Sequence, residues 1–191
     1  MDISKNIDSI ANAIETSLPR RVSPTRLDHI HRVTKMMLGL ARRFDLSEED
    51  ARLAGLAHDM DRDLPRWKSF ALLSDWRLNP TPVERRNPKM HHGWITAERL
   101  QRIYGISSPS IVTAVRHHTL GHPCLDELGL ALLVADFCEP GRTYLTRTER
   151  ESILQRPTLR EMTAAVIDAG RDRFGPLEEP TVQLYARLQG A

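Results

Sequence analysis

A histidine followed at once by an aspartate, His58-Asp59, closes the apolar run Leu53-Ala54-Gly55-Leu56-Ala57. An imidazole nitrogen beside a carboxylate oxygen is a donor pair for a borderline divalent or trivalent metal. Neighbouring helical residues point about 100° apart, so both can reach one ion only where the helix unwinds. The apolar pattern does stop at Asp59. Two more donors lie on equally apolar segments. His29 sits in Arg26-Leu27-Asp28-His29-Ile30, with Val33 one turn later facing the core. Asp136 ends the run Leu130 to Ala135, where an unpaired charge would be expensive. Singly, each has an ordinary reading: a chance dipeptide, a satisfied core histidine, a helix-end carboxylate paired with Arg142. As a set, they point to a metal held by His29, His58, Asp59 and Asp136.

Two histidine pairs strengthen the case. His91-His92 follows Asn87-Pro88-Lys89-Met90, and His117-His118 lies in Arg116-His117-His118-Thr119-Leu120-Gly121. Adjacent rings near a helix end diverge, so one of each pair faces inward. His92 and His118 are assigned inward, with helix-end capping as their ordinary alternative. His91 and His117 are expected to be exposed or to pack. Asp61 and Asp63 are spare carboxylates, or solvated residues after a helix end.

The elements that must position these groups read as helices, with little strand signal. Ile3, Ile7, Ile10 and Ile14 make one stripe on a first short helix. Ser23-Pro24 caps and opens a helix to about Phe44. Ser47 to Asp50 resembles a capping box and starts the helix that carries His58. Further helices are expected at about 64–78, from His92 to before Gly105, from Pro109 to near His118, at 128–137, 148–169 and 181–188. Residues 79–90, 119–125 and 139–147 read as irregular, and all adjoin the histidine and aspartate clusters. The expectation is an all-α single domain over 1–191, with a core at about 20–145 and a C-terminal helical extension at about 146–191.

Composition bounds the partners. There are 27 basic and 25 acidic residues, a formal +2, too even to argue for a nucleic-acid or membrane surface. Only four of the basic residues are lysines, an excess of arginine that genomic base composition explains and that also suits phosphate. Aromatic residues make up 5%, so the core must rest on Leu, Ile, Val, Ala and Met. Cys124 and Cys138 fall outside any CxxC pattern and read as free thiols of a reducing cytoplasm. No apolar leader and no run of about 18 apolar residues is present, so neither export nor a membrane span is expected.

The order His29, His58-Asp59, Asp136 resembles the H…HD…D signature of the HD superfamily, an all-α helical bundle of metal-dependent phosphohydrolases. Asn87-Pro88 with His92, Arg116-x-His118-Thr119-x-Gly121 and Ala135-Asp136-Phe137-x-Glu139-Pro140-x-Arg142 resemble its bacterial symmetrical bis(5'-nucleosyl)-tetraphosphatases, the YqeK family. The resemblance covers about Arg26 to Arg142, with a fainter echo at Pro176 to Tyr185. It implies hydrolysis of diadenosine tetraphosphate to two ADP. Iron is the expected metal, and manganese, cobalt or zinc suit the same ligands. It implies metal ligands at His29, His58, Asp59 and Asp136, and phosphate contacts or a second metal at His92 and His118. Asp59 and Arg62 become the catalytic residues, and Arg62, Arg142 and Thr181 the substrate contacts. The chain departs from the pattern at Arg62 (usually Lys), His122 (often Arg), Thr96-Ala97 (usually Gly-Ala) and the less aromatic Leu177-Glu178-Glu179.

The expected chemistry is attack of a metal-activated water on an inner phosphorus, with His92, His118, Arg62 and Arg142 neutralising phosphate charge. Rivals are another HD enzyme, such as a nucleoside 5'-monophosphatase or a cyclic-nucleotide phosphodiesterase, and a non-catalytic nucleotide-binding regulator. A nucleotide or dinucleoside polyphosphate is the expected partner, with no nucleic acid or membrane, and a homo-oligomer is left open.

Overall fold

The computed structural model describes residues 3–190, with side chains from residue 7 onward. Among them there are eleven α-helices, two short 3₁₀ turns and no strand. The helices are α1 (Ile3–Ser17), α2 (Pro24–Arg43), α3 (Glu48–Ala57), α4 (Arg66–Asp75), α5 (Pro82–Arg86), α6 (His91–Arg102), α7 (Pro109–His117), α8 (Glu127–Cys138), α9 (Arg147–Leu154), α10 (Leu159–Phe174) and α11 (Glu179–Gln189).

α8 is apolar on every face, and such a helix is stable only when wrapped. It is enclosed by α2, α3, α7 and α10, and α3 in turn packs on α1, α2 and α7. Ile30, Val33 and Met37 of α2, Leu53 and Leu56 of α3, Ile111 and Val115 of α7 and Leu132 of α8 are buried between them. Each such side chain contributes about 1.5–3 kcal/mol through the apolar surface it removes from water. In α1, Ile10 and Ile14 are buried and Ile7 half-buried, while the side chain of Ile3 lies outside the described residues.

Several local expectations change. Pro24 does open α2, but the Ser23 hydroxyl makes no capping bond; its backbone N–H instead donates to Asp63 at 2.8 Å. Ser47 accepts from the Asp50 N–H, without the reciprocal half of a capping box. The expected 64–78 helix begins only after Pro65, at Arg66. Residues 79–90 are not irregular throughout: Thr81 and Glu84 form a full capping box that starts α5, and a 3₁₀ turn spans Pro88–Met90. The single helix expected at 148–169 is two, because Pro157 cannot continue α9 and Thr158 caps α10.

Two glycines matter to the site. Gly93 lets α6 approach α7 so closely that a Cβ there would lie 2.7 Å from the Arg116 carbonyl oxygen. Gly121 takes φ 73°, turning the chain out of the α7 end just after His118, a conformation side-chain-bearing residues rarely adopt.

Candidate metal centre

Five helices deliver one donor-bearing end or face each to the same point. His29 comes from the middle of α2, His58 and Asp59 from the end of α3, His92 from the first turn of α6, His118 from the end of α7, and Asp136 from the last turn of α8. The α3 helix stops at Ala57, so His58 and Asp59 lie where the backbone leaves the helical path. All but Asp136, which is half-buried, are buried.

The histidine tautomers follow from what each Nδ1 faces. His58 Nδ1 lies 2.7 Å from the Gly55 carbonyl, His92 Nδ1 2.8 Å from that of Lys89, and His118 Nδ1 2.7 Å from that of Val115. A carbonyl oxygen only accepts, so each Nδ1–H donates to the residue three positions earlier. His29 Nδ1 donates to the Glu139 carboxylate at 3.1 Å. Arg32, the Gly141 N–H and His29 hold that carboxyl below its usual range against the opposing effect of burial. With Nδ1 protonated in all four rings, the Nε2 lone pairs face the centre.

Those lone pairs come close together. His29 and His58 Nε2 are 3.4 Å apart, and His92 and His118 Nε2 are 3.0 Å apart. Two unprotonated nitrogens repel at that distance unless a proton or cation lies between them. Imidazole bonds to a cation of about 2.0–2.1 Å give nitrogen separations of about 3.0–3.4 Å for neighbouring ligands, so the spacing fits a metal.

Asp59 lies between the two histidine pairs. Its Oδ1 is 2.9 Å from His92 Nε2 and 3.6 Å from His118 Nε2; its Oδ2 is 3.6 Å from His29 Nε2 and 3.7 Å from His58 Nε2. Arg26 donates to the same Oδ2 at 2.6 Å. Burial alone would raise the Asp59 carboxyl, but His58, His118 and His92 hold it well below the usual carboxylate range. Asp136 Oδ1 lies 3.1 Å from His29 Nε2 and also accepts from Arg142. Its carboxyl is likewise depressed: burial opposes ionisation, and the neighbouring His29 ring and the Arg142 charge overcome it. Among the imidazoles, burial pushes His58 down to about 4 and lowers His92. His118 is raised: burial is the largest single effect and lowers it, but the nearby Asp59 and Asp136 carboxylates together outweigh burial.

His29, His58 and Asp136 thus form one group of donors, and Asp59, His92 and His118 another. The other members of the histidine pairs face away. His91 is fully buried, not exposed, with Nδ1 3.3 Å from Ser69 Oγ and its ring against Phe70. His117 is half-buried and stacks on His122. Asp61 is not solvated: it is buried, paired with Arg21 at 2.7 Å and Arg99 at 2.9 Å, and ties α3's exit to α6.

Of the remaining candidates, Arg142 touches the centre through Asp136, while Arg62 and Thr181 bond to backbone carbonyls around it. Arg62 donates to the Lys89 carbonyl at 2.7 Å, and its charge weighs against protonation of His92. Thr181 donates to the Leu120 carbonyl at 2.7 Å and lines an apolar cavity of about 360 Å³ with Thr119, Phe137, Phe174 and Leu177. Arg142 lines a polar cleft of about 200 Å³ over His29, together with Arg26 and Arg32. A larger cavity of about 660 Å³ between α9 and α10 is lined by Glu149, Glu161, Asp168 and Asp172 together with Arg156 and Arg173. Sequence reasoning missed Arg26 and the Arg32–Glu139 pair. Arg26 lies one turn before His29 on the same face of α2, which was the available signal.

Comparison with known proteins bears on the family. The chain is 27% identical over 125 residues to the symmetrical bis(5'-nucleosyl)-tetraphosphatase of Bacillus subtilis, covering 65% of this chain and 67% of that one. It is 25% identical over 138 residues to the enzyme of the same name from Staphylococcus aureus, covering 72% and 69%. Its fold matches a crystal structure described as a predicted HD superfamily hydrolase involved in NAD metabolism from Clostridium acetobutylicum. That match has a TM-score of 0.82 at 23% identity, over 94% of this chain and 96% of that one. The HD domain family model matches residues 26–169, and the chain therefore belongs to the HD domain family.

Proposed function

We propose that the protein is a metal-dependent phosphohydrolase that splits diadenosine tetraphosphate in the middle, giving two ADP. The observation that carries this reading is the convergence of four Nε2 lone pairs on two carboxylates beside an arginine-lined cleft. The names of the Bacillus and Staphylococcus relatives supply the substrate.

In this reading His29, His58, Asp59 and Asp136 hold a divalent metal, iron by family resemblance. His92 and His118, which face the other oxygen of Asp59, would hold a second ion if one binds. A bound cation supplies Lewis acidity toward phosphoryl oxygens and a water acidified toward neutral pH. Asp59 is a weak base, its carboxyl being held well below the usual range, so it would take a proton only from a strongly acidic donor.

Arg26, Arg32 and Arg142 line the cleft over His29, where guanidinium groups neutralise a polyphosphate bridge. Arg62 serves the His92 side. The apolar cavity walled by Phe137, Phe174 and Leu177, with Thr119 and Thr181, takes one nucleoside. Water adds to an inner phosphorus, the bridging P–O bond between the two inner phosphoryl groups breaks, and ADP leaves with that oxygen. ADP is a weakly basic leaving group, so no strong general acid is needed. The unit is one domain over 1–191. Its core at about 20–145 carries the donors, its extension at about 146–191 walls the nucleoside cavity, and the two free thiols suit a reducing cytoplasm.

A substrate panel tests this. Chelated protein reloaded with iron, manganese or cobalt should hydrolyse diadenosine tetraphosphate far faster than AMP or cyclic AMP. Phosphate release from AMP with the tetraphosphate untouched would favour a monophosphatase. Tight nucleotide binding without turnover in all three metals would favour a regulator.

A further inference from the structure

Outside the catalytic cluster, a second set of metal donors lies on the far side of the α7 end. We propose that His117, His122 and Cys124 form an exchangeable site for a thiophilic divalent cation such as zinc. The donor atoms of the three residues lie within 4.8 Å of one another. His117 ends α7, the left-handed Gly121 reverses the chain, and His122-Pro123-Cys124 brings the other two donors back over it. The His117 and His122 rings stack with centroids 4.5 Å apart.

The protonation of the cluster indicates where an ion goes. His122 Nδ1 accepts from the Cys124 backbone N–H at 3.1 Å and faces Cys124 Sγ at 2.7 Å. Nδ1 therefore carries a lone pair, and the thiol hydrogen points at it. A cation that replaces this hydrogen, releasing the proton to solvent, binds sulfur and imidazole together. With bonds of about 2.3 Å to sulfur and about 2.0–2.1 Å to nitrogen, neighbouring donors stand about 3.3–3.6 Å apart, which modest side-chain rotation satisfies. One thiolate with two imidazoles selects zinc, cobalt or copper(I) over magnesium or calcium. All three donors fall within eight residues, so little loop entropy opposes the closed arrangement. Cys124 is exposed, which leaves the fourth position open and makes the ion exchangeable.

Cobalt(II) provides the test, because the catalytic donors are nitrogen and oxygen only. Titrating cobalt(II) into the full chain under reducing, anaerobic conditions should produce a near-ultraviolet thiolate-to-cobalt charge-transfer band that saturates with about one equivalent per chain beyond the cobalt taken up by the catalytic centre. The band should be lost in Cys124→Ser and need at least about tenfold more cobalt in His122→Ala. It should persist in Cys138→Ser and in His58→Ala. Zinc should likewise slow alkylation of Cys124 in the wild type and not in His117→Ala. Absence of the band at saturating cobalt, or its survival in Cys124→Ser, would overturn the proposal.

Discussion

His58, His92 and His118 each give their Nδ1 proton to the carbonyl three residues earlier, so one local device orients three rings from three helices. His29, in mid-helix, has no free carbonyl within reach and uses Glu139 instead. Partners of this kind typically account for 10–100-fold in metal affinity. Glu139→Gln should therefore weaken metal binding by about 10–100-fold in competition with a chelating dye, with circular dichroism unchanged. Unaltered affinity would remove Glu139 from the centre. The paired histidines give a second contrast. His92→Ala and His118→Ala should each lower kcat/KM by about a hundredfold or more. His91→Ala should chiefly lower the melting temperature, since that ring packs on Phe70 and Ser69, and His117→Ala should leave kcat/KM close to wild type. Equal losses of kcat/KM in all four would refute the facing. A third outcome concerns pH. In chelated protein His58 stays neutral down to about 4, while the unfolded chain's histidine takes up its proton near 6.5. The unfolded state thus binds more protons between those values, and stability falls as pH drops through that window, by about 3 kcal/mol in full. His92 and His117 act in the same direction and His118 opposes them. Chelated His58→Gln should show a shallower fall in melting temperature from pH 6.5 to pH 4 than wild type, and an equal slope would contradict the assignment.

At the scale of elements, donor spacing depends on helices that approach closely. Gly93 follows His92 and meets the Arg116 carbonyl, two residues before His118. A methyl group there must push α6 from α7 and separate the two Nε2 atoms. Gly93→Ala should cost about 1–3 kcal/mol in denaturant unfolding and lower activity beyond the loss of folded protein. Unchanged stability and activity would show that the approach is not required. The same elements show what the sequence made legible. Apolar runs ending in a donor, such as Leu53 to Asp59 and Leu130 to Asp136, announce both a helix and its functional end. Pro157 was equally visible as a break, but the apolar periodicity on either side of it read through. Asp61 looked like a solvated residue because Arg21 and Arg99, which bury it, are about 40 residues away in sequence on either side. The Arg32–Glu139 pair was hidden for the same reason: it exists only once α2 lies against the end of α8.

For the whole molecule, the donors lie where five helix ends and faces meet. On one side is an arginine-lined cleft, and on another an apolar cavity closed by α10 and α11. No helix among the described residues is long and apolar enough to cross a membrane. A bridge of four phosphates with a nucleoside at each end suits that layout only if its centre lies over Asp59. The most direct measurement is therefore the position of cleavage. Diadenosine tetraphosphate should be hydrolysed by metal-loaded protein in heavy-oxygen water, with the products separated by chromatography and weighed by mass spectrometry. The account predicts ADP alone, with one heavy oxygen in half of the molecules. AMP and ATP in equal amounts would place the cleavage at an outer bridge and contradict it.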